Sequence, residues 1–283
     1  MNKLIEKYNS DILDFASLYL NKYEKLITKE QIDQVTACGV SEIEAYKLLL
    51  INYFDIQDKK FVDLYFHDML HAINQEDYIQ DKYYQNIQFN SINYNEWSLR
   101  YATYSPYELF VQDDFIYKED GRVIPNLAFF NKTFRYPAVY QRGRLWMSVT
   151  PNEINTMKEP ILRASGKVVT FGLGLGYFAY MCSNKDTVNK VTIVEKDQNI
   201  ITLFKKYILP QFDHADKINI ICQDAYEFLD NMKFDEYDYL FVDIYHDASD
   251  GMITYSKIKP YEQRFKHTKF DYWIEKTIKY YLD

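Results

Sequence analysis

Three glycines at single-residue spacing, Gly172, Gly174 and Gly176, end the apolar run VVTF and open the segment YFAYMCS. This reads as a buried strand, a tight turn and a helix. Such a turn offers a ligand bare backbone, and the helix N-terminus behind it offers unpaired N–H groups. Carboxylates close three later apolar runs: Glu195 after KVTIV, Asp224 after KINIICQ and Asp243 after YDYLFV. Glu195 comes 19 residues after Gly176 (195 − 176), where a carboxylate can accept hydrogen bonds from both hydroxyls of a ribose. Asp224 can accept from an adenine amino group while the Ala225 N–H donates to a ring nitrogen. Taken singly, each has a plainer explanation: a tight turn, a solvated strand end, a helix N-cap. Taken together and in this order, they imply a nucleoside site.

Asp243 opens the acidic segment DIYHDASDG. Its carboxylate can accept a proton from an acceptor group or orient an amine. Tyr245 can pack against a transferring group or a flat substrate. His246 can act as a base near neutral pH, and Asp247 is a further candidate. The plainer reading is a solvated acidic loop whose Asp250 caps the next helix.

These residues need a scaffold. From Lys167 onwards, apolar strands alternate with helices: KVVTF, KVTIVE then DQNIITLFKKYIL, KINIICQ then AYEFLDNM, and YDYLFVD. That alternation implies parallel βαβ units, with ligands beyond the C-terminal strand ends. The preceding segment PNEINTMKEPILR reads as a helix with Pro160 as a candidate break. Trp97 to Val149 reads as a small antiparallel sheet. Its segments are YELFVQ, DDFIYK, RVIPNLAFF, YPAVYQ and RLWMSV, with turns at Asp120-Gly121 and Arg142-Gly143. The first ninety residues read as helical. Ile5, Tyr8, Ile12, Phe15 and Tyr19 share one face, Ser41 with Glu44 forms a capping-box pattern, and a helix is expected from Lys59 to His71. The expected division is a helical region over 1–95, an antiparallel β extension over 96–150 and a Rossmann-like domain over 151–283.

At 283 residues the chain can bury a full core. Its net charge of −8 disfavours nucleic acid as a general partner. The 28 Tyr and 19 Phe fit an AT-rich coding bias as well as any stacking surface. Cys38, Cys182 and Cys222 form no CxxC, so neither a disulfide framework nor a zinc site is indicated. No apolar run reaches the roughly 20 residues of a membrane span, and the N-terminus shows no signal-peptide pattern, so a cytoplasmic location is expected. His67 and His71 lie four apart, but without a third ligand no metal is expected.

The dinucleotide pattern G-x-G-x-x-G would need glycine at 177, where Tyr177 stands. The pattern present, G-x-G-x-G followed by the acidic strand ends, resembles the class I S-adenosylmethionine-dependent methyltransferases, and most of all their spermidine-synthase-like branch. VTIVEKDQNIITLFKKYILPQF and INIICQDAYEFL carry the resemblance, which covers roughly residues 105–250. It implies that Gly172, Gly174 and Gly176 face the methionine portion of S-adenosylmethionine or its decarboxylated form. It also implies that Glu195 holds the ribose, that Asp224 and Ala225 hold the adenine, and that Asp243 lies near the sulfonium. Two departures stand out. Thr170 occupies a place that is usually acidic in methyltransferases. The spermidine synthases' second loop aspartate, three after the first, is His246 here, with Asp247 one step later. The residues after Gly251 read as helix, so the sheet has four or five strands where a full methyltransferase sheet has seven. A sheet edge left open in this way, or the helical N-terminus, would suit a homo-oligomer. The expected function is methyl transfer to a small molecule or another acceptor. The alternatives are a spermidine-synthase-like aminopropyltransferase and a non-catalytic binding or scaffold protein of the same fold.

Overall fold

The computed structural model describes residues 3–282. The chain begins with helices α1 (Lys3–Lys22), α2 (Lys29–Thr36), α3 (Glu42–Tyr53) and α4 (Lys59–Met69). Their starts follow from the sequence. Thr28 and Gln31 form a capping box on α2, the Ser41 hydroxyl accepts from Glu44 N on α3, and Asp58 accepts from Phe61 N on α4. Then come β1 (Leu70–Ala72) and the short helices α5 (Glu76–Ile79) and α6 (Lys82–Asn86). Six strands follow: β2 (Ile92–Tyr94), β3 (Trp97–Tyr104), β4 (Phe110–Tyr117), β5 (Val123–Phe129), β6 (Phe134–Gln141) and β7 (Arg144–Ser148). The remainder alternates through α7 (Pro151–Arg163), β8 (Gly166–Phe171), α8 (Tyr177–Ser183), β9 (Val188–Glu195), α9 (Gln198–Leu203), β10 (Ile218–Cys222), α10 (Ala225–Asn231) and β11 (Tyr239–Val242). It ends with α11 (Ala248–Ile258), α12 (Tyr261–Arg264), β12 (Lys269–Tyr272) and α13 (Glu275–Leu282).

The chain forms two compact units. One takes in the chain up to Tyr78 together with Thr103–Arg135, and the other takes in Ile79–Ala102 and the chain from Tyr136 on. In the first, β5 pairs parallel with β1 and antiparallel with β4. Its core is aromatic, with Tyr46 stacked on Phe129 at 4.5 Å. Buried Asn9 joins α1 to the sheet: its Oδ1 accepts from the Tyr65 hydroxyl and from Val123 N, and its Nδ2 donates to Gly121 O. The segment read as two strands, YELFVQ and DDFIYK, is the single strand β4. The change of register around Asp113 takes the place of a turn. α4 stops at Met69, so His71 lies on β1 opposite Ala128 and shares no helix face with His67.

The second unit carries a five-stranded, wholly parallel sheet in the order β10-β9-β8-β11-β12. The fold is therefore α/β and Rossmann-like, with separate antiparallel strands and helices before it. Val168, Val169, Val191, Ile193, Leu240, Phe241 and Val242 are buried, as continuous apolar strands in a doubly covered sheet must be. The order runs outward one way from β8 to β10, then resumes on the other side with β11 and β12. That reversal places a crevice above β8 and β11. A four-stranded antiparallel sheet, β2-β3-β6-β7, falls largely in this unit. Arg142 and Gly143 both have positive φ (51° and 79°), as a two-residue hairpin turn requires. The strands expected to form one antiparallel sheet are thus divided between two.

The fifth parallel strand corrects the helical reading of the C-terminal residues. β12 pairs with β11 from Lys269 to Tyr272, and Thr268 fixes its start by donating its hydroxyl to Tyr237 O. Long-range pairing here overrides a local pattern that continues into α13. α7 runs unbroken through Pro160, close to its C-terminal end.

Candidate active site

The site lies beyond the C-terminal ends of β8 to β11. The turn after β8 holds Gly172, Gly174 and Gly176 at φ 92°, 50° and 78°. Gly172 and Gly174 line a cavity of about 460 Å³. Gly176 does not: it sits against Phe204, whose ring a side chain there would strike. Its requirement for glycine is helix packing.

Glu195, half-buried at the end of β9, lines the same cavity. Its Oε2 accepts from Leu173 N at 3.2 Å and its Oε1 from Asp197 N at 2.8 Å. Two backbone N–H groups thus hold the carboxylate, and each oxygen keeps a lone pair for a ligand hydroxyl. Asp224 caps α10: its Oδ1 accepts from Tyr226 N at 2.8 Å and from Glu227 N at 3.3 Å. Among the described residues no hydrogen bond reaches its Oδ2, nor does any partner accept from the Ala225 N–H. Both residues line the cavity. Capping and ligand binding are therefore compatible in Asp224. Trp97, only 2% exposed, lines the cavity too, and among the described residues its buried Nε1–H has no partner. An orphaned donor of this kind is expensive unless a ligand completes it.

The segment after β11 divides. Asp243 is half-buried, and its backbone N–H bonds Phe171 O at 3.0 Å. Tyr245 is buried, with its hydroxyl donating to Trp273 O, so the ring lines the site while the polar end is occupied. His246 is exposed, and its ring meets Trp146 edge-on at 4.6 Å. Asp247 stands apart. It caps α11 through Ser249 N at 2.7 Å and Asp250 N at 3.3 Å, and Asp250 returns the bond to Asp247 N. It lines neither large cavity of the site, and the cap is Asp247 rather than Asp250.

A second cavity, of about 860 Å³, adjoins the first. Asp243, Tyr245, His246, Trp146, Met147 and Gln141 line both, so Asp243 stands where the two meet. Beyond it, the second cavity reaches Glu153, in the first turn of α7. Sequence reading took that helix as scaffold and missed Glu153. The available signal was the one acidic residue in the first turn of the helix that feeds the glycine strand. Burial raises the Asp243 pKa. Burial, and then the charge of Asp243, push that of Glu153 up well above the usual carboxylate range. Thr170 is buried in β8 and lines neither large cavity. Among the described residues no three His, Cys, Asp or Glu side chains are placed to hold a metal ion.

An open parallel sheet with carboxylates at successive strand ends, around paired cavities at its switch point, is an arrangement in which α/β domains bind ligands. Residues 165–272 match the model of the spermine/spermidine synthase domain, so the resemblance to the spermidine-synthase-like branch holds over this part of the chain. No curated protein matches the chain. Solved structures that resemble it include a spermidine synthase in complex with the transition-state analogue AdoDATO (20% identity, TM-score 0.30, covering 39% of this chain and 43% of that one). Another is the spermidine synthase of Thermotoga maritima (18%, TM-score 0.31, 50% and 57%). A third is a conserved hypothetical protein of Streptococcus pyogenes (17%, TM-score 0.26, 29% and 51%). The chain spans about half the length of these solved chains. The family match corrects the expectation of methyl transfer: the matching domain model is that of synthases that move an aminopropyl group, not of methyltransferases. No described helix is long and apolar enough to cross a membrane.

Proposed function

We propose that this chain is a spermidine-synthase-like aminopropyltransferase, a transferase that takes decarboxylated S-adenosylmethionine as donor and a small amine as acceptor. The observation that carries this reading is the position of Asp243 between a cavity edged by Glu195 and Asp224 and a second cavity that reaches Glu153. The match of residues 165–272 supports it.

In this reading Glu195 accepts from the two ribose hydroxyls of the donor. Asp224 Oδ2 and the Ala225 N–H take the adenine edge. Gly172 and Gly174 let the sulfonium end approach the backbone, next to Asp243. The acceptor enters through the larger cavity. Its neutral nitrogen forms a bond to the propyl carbon while the S–C bond breaks and its electron pair stays on sulfur. The products are methylthioadenosine and a lengthened amine whose nitrogen carries one extra proton. Asp243 is placed to receive that proton or to orient the nitrogen. Alignment and exclusion of water supply most of the acceleration, because the sulfonium is already electrophilic.

Incubation with putrescine and decarboxylated S-adenosylmethionine is expected to yield spermidine and methylthioadenosine in equal amounts. Binding of methylthioadenosine without formation of any lengthened amine, across a panel of diamines and amino-group acceptors, would overturn the reading.

A further inference from the structure

The acidic groups in the segment after Asp243 are engaged in the α11 cap: Asp250, which lines the first cavity with Asp243, accepts from His246 N and Asp247 N. Asp247 is held in the α11 cap, and His246 turns its ring to Trp146. An acidic companion for Asp243 comes from another element. Glu153 stands on the first turn of α7, and its carboxylate takes no part in capping that helix. It lines the same cavity as Asp243 and interacts with it electrostatically. Among the described residues neither side chain has a hydrogen bond or an ion pair. The charged and titratable groups around the pair do not neutralise it. Both arginines of the hairpin line this cavity, but Arg142 is bound to Glu96 at 2.7 Å, and among the described residues Arg144 forms no ion pair. The Tyr177 hydroxyl, on α8, is bonded to Asp81, and Tyr245 and His246 are engaged as described above.

Two partly buried carboxylates with no cation in contact, although Arg142 and Arg144 line the same cavity, cannot both ionise at low cost. What they lack is one positive charge carrying several donors. A primary ammonium brings a full charge and three N–H groups on a narrow stem. We propose that Glu153 is a substrate-binding residue, forming with Asp243 a two-carboxylate seat for the ammonium end of the acceptor amine. This rests on the aminopropyl-transfer reading and deepens it. Glu153 anchors the ammonium, and Asp243, at the mouth of the nucleoside cavity, takes one of its protons, which leaves a neutral nitrogen with a lone pair to attack. Binding of the cation drives the pair towards its doubly ionised form, so amine uptake near neutral pH releases protons.

The test is calorimetric titration of putrescine into protein saturated with methylthioadenosine, in two buffers of different ionisation enthalpy. The wild type is expected to bind putrescine with net proton release near neutrality. Glu153→Gln is expected to weaken putrescine binding about tenfold or more, to lower the proton release, and to leave methylthioadenosine affinity within about twofold. Glu153→Asp is expected to recover part of the loss. A melting temperature for Glu153→Gln at or above that of the wild type establishes that the variant is folded. Putrescine binding unchanged in Glu153→Gln, or wild-type binding without proton release, overturns the role of Glu153 and leaves the nucleoside site standing. Failure of the wild type to bind methylthioadenosine at all overturns the proposed function, and this inference with it.

Discussion

Gly172 and Asp243 meet backbone to backbone. A Cβ on Gly172 would overlap the carbonyl oxygen of Asp243, and the next bond down the sheet, Asp243 N to Phe171 O, is 3.0 Å long. The glycine turn and the segment carrying Asp243 are thus clamped side by side at the switch point. Gly172 also holds φ at 92°, where a side chain is strained whatever the space. Gly172→Ala is expected to cost about 2–4 kcal/mol in urea unfolding, from strain and overlap together. It should also displace Asp243. A cost below about 1 kcal/mol would show that the clamp yields freely.

Glu195 is held by two backbone N–H groups, one of them from Leu173 in the glycine turn. Glu195→Gln keeps the shape but substitutes a donor for one acceptor, so one backbone N–H faces an NH₂ group or the ligand loses a hydroxyl acceptor. The expected loss in methylthioadenosine affinity is about 1–3 kcal/mol, that of a charged hydrogen-bond acceptor removed from a half-buried site. Fluorescence or calorimetric titration reads it. Full affinity in this variant would remove Glu195 from the nucleoside site.

Much of the second unit was legible in the sequence. The inner strands β8, β9 and β11 carry continuous apolar runs, and their burial on both faces leaves little other choice. The carboxylates at their ends could be placed because strand ends follow directly from run lengths. β12 was not legible: Lys269–Tyr272 has no strand pattern of its own and becomes a strand only by pairing with β11. The seat of Glu153 was hidden for a different reason. A carboxylate in the first turn of a helix is ordinary, and only tertiary placement turns it towards Asp243. The separation of Asp247 from His246 depended on which of two aspartates caps α11, and a capping box satisfies the same sequence in either reading.

Burial raises the Asp243 pKa to about 7 and raises that of Glu153 as well. In the unfolded chain both groups titrate at about 4. Between those values the folded state binds more protons than the unfolded state, so stability falls as pH rises. The contribution is fully present below about pH 4 and is lost through the folded value near neutrality. Asp243→Asn removes the acid from both states. The stability of the variant relative to the wild type is therefore expected to grow from acid to neutral pH, by about 1–3 kcal/mol once partial exposure is allowed for. Urea unfolding of both proteins over that range measures it, and a pH-independent difference would contradict the shift.

Trp146 stands on β7 with 41% of its surface exposed, yet its ring meets Trp97 at 5.7 Å and His246 at 4.6 Å, both edge-on. It lines both cavities, so it forms part of the wall between the proposed nucleoside and acceptor ends. Each aromatic contact contributes about 0.5–1.5 kcal/mol, and the exposed face adds little, so Trp146→Ala should lower stability by no more than about 2–3 kcal/mol. The effect on transfer should be larger than the effect on folding. Opening the wall admits water to the place where nitrogen, carbon and sulfur must align, and small displacements there are costly. A fall of about tenfold or more in the single-turnover release of methylthioadenosine is expected, with nucleoside affinity changed less. Wild-type turnover in a folded Trp146→Ala protein would mean that the Trp146 ring is not part of the wall, and that the other residues lining both cavities separate the two compartments without it.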